Sequence, residues 1–473
     1  MSGALAIILC AVLAAAAPAQ ASASEFAPDG LYEAEHLVLE NGFEVVLKQR
    51  GEARNVSMRL VVGLGSDDFP CGRQETSHFL EHLLFTGTSK HGEAELDELV
   101  ESLGGAWNAY AEAERTTYAL DIYSGNALLG VEILHEILTD SLIADEDVER
   151  TRGIVQREAG GSENSLVQWM SARGFGKTGF EKAWEALGLS CPNYESTDDI
   201  SRRDVLDAYA RYYLANNMTL VAVGQFDRGA LLASIRAGFG SMQPSELPQR
   251  PPRPQKATTG NRIFTSTFAP VVGEGADVGI AVVTGGYRSP DYYPLNVLQS
   301  YLDDQLFKTI RIERGLSYGA QAGQDNYVDR GVFYAYADSS SHDKNTVLEL
   351  ILQEIERLAT QPLDEAQVEQ SKRSLLLAAA RGLEANSTIA DYYVESLYEL
   401  EDLGRFRNEE EAIAKVSAAD VARVARQLFV EGDVLEVIDE PTLGSDSFAT
   451  ALGLGAALPL ALAWLGWRRW RRA

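Results

Sequence analysis

The stretch Glu75-Thr-Ser-His-Phe-Leu-Glu-His-Leu-Leu-Phe85 contains two histidines four residues apart, with a glutamate directly before the second one. Its apolar residues recur with helical spacing, and hydroxyl side chains stand where such a helix would begin. We therefore predict a helix here, capped at its start by Thr76 or Ser77.

This pattern predicts a metal site. On a helix, residues i and i+4 share a face about 5–6 Å apart, so His78 and His82 can bind one cation. Glu81 borders the same face and is the predicted general base. Zinc suits two imidazoles and a carboxylate, and lowers the pKa of a bound water to about 7. We expect one Zn²⁺ per chain, but the residues alone do not choose a third ligand among 69 acidic side chains.

Similar segments recur at an offset of about 220 residues. Residues 56–67 and 278–290 each look like a strand ending in a glycine turn, and residues 144–152 and 363–372 each open a long helix. The order of strands and helices favours an α+β fold. We predict two homologous domains, each a mostly antiparallel sheet packed with helices.

A proline-rich stretch divides the two halves. Residues 243–254 contain five of the 15 prolines, which is typical of a linker. The predicted domains are residues 30–242, with the zinc site, and residues 258–438, separated by a linker over 243–257. In the second half, Val297-Leu-Gln-Ser-Tyr301 replaces the histidine motif, so this domain is expected to hold no metal.

Both ends of the chain are apolar. Residues 1–23 contain an apolar run followed by A-x-A sequences, typical of a secretory signal peptide, although an uncleaved anchor is an alternative. Residues 448–467 carry no charge and are long enough for a transmembrane helix. The four arginines in 468–473 predict a cytoplasmic tail. We expect an exported protein on the periplasmic or extracytoplasmic face, anchored in the cytoplasmic membrane. A removable C-terminal sorting signal is the alternative.

Charge and cysteine content narrow the partners and the compartment. The formal net charge of −28, from 41 basic and 69 acidic residues, excludes nucleic acid and favours cationic substrates, although acidity also serves solubility. After signal removal, Cys71 and Cys191 remain, either as one disulfide or as two buried thiols. We expect the thiols. No C-x-x-C pair is present, which excludes a thiolate zinc site.

The H-x-x-E-H motif resembles that of the inverzincins, the pitrilysin, insulysin and mitochondrial-processing-peptidase family of zinc metallopeptidases. The length matches the two-domain processing-peptidase branch. The resemblance implies that Glu158, 76 residues after His82, is the third ligand. At an offset of 220, Ala378 takes the place of Glu158 in the second half.

Other segments resemble the family as well. Residues 104–118 are similar to the family segment in which an asparagine, here Asn108, helps to position the substrate. Arg311 and Tyr318 match the arginine and tyrosine that hold the peptide and its reacting carbonyl. Both side chains can donate to a carbonyl oxygen that gains charge.

The chain departs from the family at two positions. Thr151 stands where an acidic residue often precedes the third ligand by seven positions, and Ala111 replaces a usual threonine. Glu75, one turn before His78, is predicted to accept a hydrogen bond from a ligand imidazole in place of the missing acid.

The resemblance also implies a closed chamber of four domains. One chain supplies two, so a homodimer or a heterodimer with a related two-domain chain is expected. Substrate would bind by adding a strand to a sheet edge. The sequence therefore predicts a zinc endopeptidase for short or unfolded, basic peptides. The alternative is a peptide-binding or assembly subunit that does not cleave.

Overall fold

The computed structural model describes residues 26–158 apart from 29 and 52, residues 177–191, 197–254, 262–265, 272–441 and 443–444. The predicted signal peptide (1–23), transmembrane helix (448–467) and basic tail (468–473) lie outside the described residues. Within the described ranges, no helix combines the length and the apolar composition needed to cross a membrane.

In the described part of the chain, six strands form the first sheet. They are β1 (Glu35–Val38), β2 (Glu44–Gln49), β3 (Asn55–Val62), β4 (Ala106–Ala111), β5 (Thr116–Tyr123) and β6 (Met218–Gly224). Their spatial order is β1-β2-β6-β3-β5-β4, and β2 and β6 form its parallel pair. β4 therefore lies at one edge of the sheet.

The second sheet repeats this arrangement. Its described strands are β7 (Arg262–Thr265), β9 (Gly275–Thr284), β10 (Gln321–Asn326), β11 (Gly331–Ser340) and β12 (Leu435–Asp439). The order is β10-β11-β9-β12-β7, and β12 and β7 are again parallel. Short strands β8 (Val272–Gly273) and β13 (Leu443–Gly444) pair separately. The sequence predicted an α+β fold of two domains, and the structure has two mixed sheets packed against helices, one in each half of the chain.

Helices cover both sheets. In the first half they are α1 (Thr76–Leu83), α2 (Glu93–Ser102), α3 (Ala127–Thr139), α4 (Asp145–Glu158), α5 (Gly179–Ala186), α6 (Arg202–Tyr212) and α7 (Arg228–Phe239). In the second half they are α8 (Tyr292–Leu306), α9 (Lys344–Thr360), α10 (Glu365–Gly382), α11 (Asn386–Glu395), α12 (Leu397–Leu403), α13 (Glu409–Ala414) and α14 (Ala418–Arg426).

The central strand β3 is buried on both faces, which explains its nearly continuous apolar sequence. Alternate residues point to opposite sides. Met58 and Leu60 face the core beneath the first-half helices, whereas Val61 packs with Ile389 and Tyr393 of α11. A helix from the second half thus covers the outer face of the first sheet.

A helix of the first half likewise packs on the sheet of the second half. Helix α5 of the first half packs on the second sheet through Ala183 and Ala186, against Leu435 and Val437 of β12. Asp439, at the end of β12, accepts hydrogen bonds from the first backbone N–H groups of α5. Each half therefore contributes a helix to the apolar surface of the other, and the two halves share their packing.

An ionic cluster joins the proline-rich linker to both halves. Asp67 of the first half is contacted by Arg330 of the second half at 2.9 Å and by the linker residue Arg253 at 3.0 Å. The linker residue Arg250 lies 2.9 Å from Asp68, and Arg253 lies 3.1 Å from Glu114. Three arginines balance three carboxylates, so ion pairs attach this part of the linker to the first half.

Cys71 and Cys191 form a disulfide bond, so the expectation of two free thiols was wrong. Cys71 precedes α1, and Cys191 follows α5, the helix that packs on the second sheet. The two residues are 120 apart in sequence, and only the tertiary fold brings them together. The bond links the segment that leads into the metal motif to a segment docked on the other half.

Candidate metal centre

Helix α1 presents the histidine motif on one face. Phe79, Leu80 and Leu83 are fully buried, and this apolar side anchors the helix in the first core. His78 and His82 lie on another side, where 28% and 24% of their side chains are exposed. Burial of the apolar side thus orients both imidazoles.

The start of α1 differs from the predicted cap. The residue before the helix is Glu75, and no side chain caps the helix there. The Thr76 and Ser77 hydroxyls instead donate to the carbonyl oxygens of Arg73 and Gln74, at 2.7 and 3.0 Å. They stabilise the preceding turn because that turn places its carbonyl groups within their reach.

Helix α4 brings the third carboxylate to the histidines. Val148, Thr151 and Val155 form its buried stripe, with a spacing of three and four residues. Glu158, three residues after Val155, continues that stripe as the last residue of the helix. Glu149 points away and its side chain is 71% exposed, as its position nine residues earlier predicts.

Three possible ligand atoms form a nearly equilateral triangle. His78 Nε2 and His82 Nε2 lie 3.1 Å apart, and Glu158 Oε2 lies 3.1 Å and 3.2 Å from them respectively. A tetrahedral zinc ion with bonds of about 2.0–2.1 Å separates neighbouring ligand atoms by about 3.3 Å. The side chains of His78, His82 and Glu158 therefore fit a zinc ion in both chemistry and spacing.

Glu81 lies beside this triangle, with an oxygen 3.9 Å from His78 Nε2. Its side chain is only 11% exposed. Burial raises the pKa of Glu81 above its usual value, although the charges of His82 and His78 oppose the shift. A carboxylate with a raised pKa, next to the place of a bound water, suits proton transfer.

Glu75 contacts the far side of the His78 ring, with its Oε2 atom 2.9 Å from Nδ1. Burial acts to lower the pKa of His78, but the hydrogen bond to Glu75 and nearby carboxylates raise it overall. Thr151 is buried without a charge at the position where relatives often carry an acid. Glu75 thus contacts the ring atom of His78 that faces away from Glu158 and His82, and its role in orienting the imidazole stays a prediction.

A cleft of about 600 Å³ lies over these residues. One wall is the edge strand β4, and no described strand pairs with its outer side. Asn108 donates to the Tyr110 hydroxyl at 3.3 Å, and both side chains face the cleft. Sequence reasoning missed three wall residues. Strand alternation from Asn108 would have identified Tyr110. The other two, Ser66 and Gln74, come from segments outside β4.

Arg311 and Tyr318 lie together in the second half, away from the residues that line the cleft. Arg311 donates to the backbone oxygen of Tyr318 at 2.6 Å, and its guanidinium lies 4.3 Å from the centre of the tyrosine ring. The structure brings these two residues together but does not bring them to the three metal ligands, and their contact with a substrate stays a prediction.

The second half lacks an equivalent metal centre within the described residues, where His78, His82 and Glu158 form the one group of three possible ligands. Its α8 and α10 correspond to α1 and α4. Ala378 is exposed on α10, and Val297 and Leu298 of α8 are fully buried. Apolar side chains thus replace the ligands.

Two imidazoles and a carboxylate around one point, with a buried glutamate beside them and an edge strand along the cleft, are typical of a zinc metallopeptidase. Family models agree with this class. Residues 44–192 match the model described as insulinase (peptidase family M16), and residues 199–375 match the peptidase M16 inactive domain. The chain belongs to peptidase family M16, which confirms the resemblance seen in the motif.

Individual relatives carry similar descriptions. An uncharacterised zinc protease of Mycobacterium tuberculosis is 27% identical over 404 residues, covering 82% of this chain and 89% of the relative. The beta subunit of the bovine (Bos taurus) mitochondrial-processing peptidase is 25% identical over 369 residues, covering 75% and 73%. A protease from Helicobacter pylori has the same fold, with a TM-score of 0.71, 19% identity and coverage of 86% and 99%.

Proposed function

We propose that this chain is a zinc-dependent endopeptidase that cleaves short or unfolded peptides. One observation carries the proposal: three ligand atoms of His78, His82 and Glu158 lie 3.1–3.2 Å apart beneath an open cleft, with Glu81 buried at their side. A purely structural metal site would be closed by a fourth protein ligand. This one opens to a cleft large enough for a peptide segment.

A bound zinc ion would act as a Lewis acid, polarising the scissile carbonyl and lowering the pKa of a water molecule. Glu81 accepts one proton as the water oxygen attacks the carbonyl carbon. It would then give that proton to the amide nitrogen as the carbon–nitrogen bond breaks, which leaves a carboxylic acid and an amine that ionise to a carboxylate and an ammonium near pH 7. Glu75 holds the His78 ring in the orientation that leaves Nε2 for the metal.

Strand β4 would align the peptide. Its outer edge can form main-chain hydrogen bonds with an extended segment, which gives affinity with little sequence preference. Asn108, on the cleft side of β4, is the proposed contact to the substrate backbone. Arg311 and Tyr318 would complete the site from the second half, by donating to the substrate carbonyl.

The preference for basic peptides must arise outside the cleft. The carboxylates that line it are Glu75, Glu81 and Glu158, and each has a role at the metal centre. The remaining walls are neutral. We attribute a basic preference to the general field of a chain with net charge −28, which attracts cations at longer range.

For assembly, we propose a homodimer, or a heterodimer with a related two-domain chain. The family resemblance supports this, and one relative is named as a subunit of a processing peptidase. For location, we propose the extracytoplasmic face of the cytoplasmic membrane. The Cys71–Cys191 disulfide supports an oxidising compartment, and the two apolar ends of the sequence support export and anchoring.

The test compares wild type with Glu81→Gln on a quenched basic peptide and on its acidic counterpart, with zinc content measured in both proteins. We expect about one zinc per chain in each, and a loss of cleavage of at least 100-fold in the variant. Glu149→Gln, an exposed change on α4, is the matched control. Equal cleavage by wild type and Glu81→Gln, or wild type without zinc, would favour the non-cleaving assembly subunit.

A further inference from the structure

Arg311, which is half-buried, and Tyr318, which is exposed, form a pair that carries a positive charge. Tyr318 is 77% exposed, and the Arg311 guanidinium lies between its ring and that of Phe307, at 4.3 and 4.9 Å. Among the residues that the structure describes, no carboxylate lies within 4.0 Å of the Arg311 guanidinium nitrogens. In such an acidic chain, this guanidinium remains free to bind an oxygen of another molecule.

Packing does not explain how Tyr318 keeps its position, because most of its side chain is in solvent. The backbone around it is held by one carboxylate, Asp338 on β11. Asp338 accepts hydrogen bonds from the Ser317 hydroxyl at 2.9 Å, the Tyr318 N–H at 3.2 Å and the Gly319 N–H at 2.6 Å. Three consecutive residues thus donate to one carboxylate, while Arg311 donates to the Tyr318 carbonyl oxygen and the Ser317 hydroxyl accepts a second hydrogen bond from the Gly319 N–H.

Asp338 is suited to this task because it stays ionised. Burial acts to raise its pKa, but the donors from Gly319, Ser317 and Tyr318 outweigh burial and lower the pKa overall. A carboxylate that accepts backbone N–H groups forms stronger hydrogen bonds than a neutral acceptor does. Asp338 lies in the part of β11 that pairs with β9, in register with Asp277, so the sheet fixes the backbone that carries this carboxylate.

We propose that Asp338 is a positioning residue: it fixes the loop over residues 317–319 so that Tyr318 stacks on Arg311 and the pair is held ready to donate to a substrate. This inference rests on the proposed function for the role of the pair, but not for the anchoring itself. Asp338 would not touch the substrate. It acts through the backbone of Tyr318.

The chain offers a matched control. Asp277 on β9 lies directly opposite Asp338 in the sheet register, and it is exposed. No contact of Asp277 with residues 317–319 is present in the described part of the chain. Replacing it removes the same charge from the same row of the sheet and leaves the loop hydrogen bonds intact.

The experiment uses the full zinc-loaded chain and a quenched peptide. We expect Asp338→Ala to lower kcat/KM by about 10- to 100-fold, since loss of alignment at a reacting centre has effects of this size. Zinc content and thermal midpoint should stay near wild type. Asp338→Asn keeps one acceptor oxygen, so its kcat/KM should fall less. The kcat/KM of Asp277→Asn should equal that of wild type. Equal losses in Asp277→Asn and Asp338→Asn would overturn the proposal.

A double-variant cycle separates positioning from general stability. In a Tyr318→Ala background, Asp338→Ala should cause no further loss, because the residue it positions is already absent. Independent, additive losses would contradict the proposal.

Hydrogen exchange supplies a readout that needs no activity. The Tyr318 and Gly319 amides should exchange about 10-fold faster in Asp338→Ala, since each loses a hydrogen bond to a charged acceptor. Unchanged exchange would show that Asp338 does not anchor the loop. If these amides exchange faster in Asp338→Ala but the wild-type chain cleaves no peptide, the anchoring role stands and the peptidase proposal is rejected.

Discussion

The Nδ1 atom of His78 lies 2.9 Å from the carboxylate of Glu75, one helical turn earlier on the chain. Because Nδ1 donates to Glu75, the imidazole keeps its Nε2 lone pair for a metal ion. On α4, Thr151 is buried and uncharged at the position where the family resemblance implies an acid. Glu75, the residue directly before α1, provides the contact.

Replacing Glu75 should weaken metal binding. For Glu75→Ala we expect a loss of zinc affinity of about 10- to 100-fold, the usual effect of removing a carboxylate that orients a ligand histidine. Competition with a fluorescent chelator measures it. Glu149→Ala, whose side chain is exposed on α4, should bind zinc like wild type. An unchanged dissociation constant for Glu75→Ala would show that Glu75 does not support the metal centre.

Removal of the disulfide should destabilise the fold. The bond closes a loop of about 120 residues, and we expect the Cys71→Ser, Cys191→Ser variant to lose about 2–4 kcal/mol of unfolding free energy. Urea unfolding, monitored by circular dichroism, gives the value. Wild type treated with reductant should shift in the same direction, whereas the double variant should not respond to it. A variant as stable as wild type would contradict this expectation.

Asp67 is expected to be essential for the contact between the halves. Its side chain is 7% exposed and faces Arg330, which is 12% exposed. Asp67→Asn leaves a buried guanidinium without its carboxylate, and we expect a loss of about 3 kcal/mol in urea unfolding. Asp402→Asn, at the more exposed Arg288 pair, should cost less than about 1 kcal/mol. Similar losses for both variants would refute a special role for Asp67.

Glu409 should make stability fall as pH rises. Burial and the charges of Glu399 and Glu395 raise its pKa to about 7. Between its ordinary pKa of about 4.5 and 7, the folded chain holds more protons than the unfolded chain, so unfolding free energy decreases with pH in that window. The unfolding free energy of Glu409→Gln should therefore exceed that of wild type by about 1–3 kcal/mol at pH 8 and by little at pH 4. Equal pH profiles of the urea midpoint would reject this assignment.

The proposed metal centre shows which predictions follow from local geometry and which need the fold. His78, Glu81 and His82 lie within five residues of one helix, so their shared surface follows from helical geometry alone. Glu158 was identified through the family resemblance, because no local rule relates residues 76 apart. Tyr110 could have been found from strand alternation. Asp338 could not, since its partners are about 20 residues away and meet it only when β11 is packed beside their loop.

The sequence by itself determined the metal motif, the repeat of two α/β halves and the acidic charge, because each follows from spacing or composition along the chain. Only the tertiary structure decided that Cys71 bonds with Cys191, that α5 and α11 are exchanged between the sheets, and that Asp67 meets Arg330. These contacts join residues more than 100 positions apart. The packing of apolar faces and the pairing of buried charges decide which residues meet in these contacts. Neither process produces a periodic pattern in the sequence.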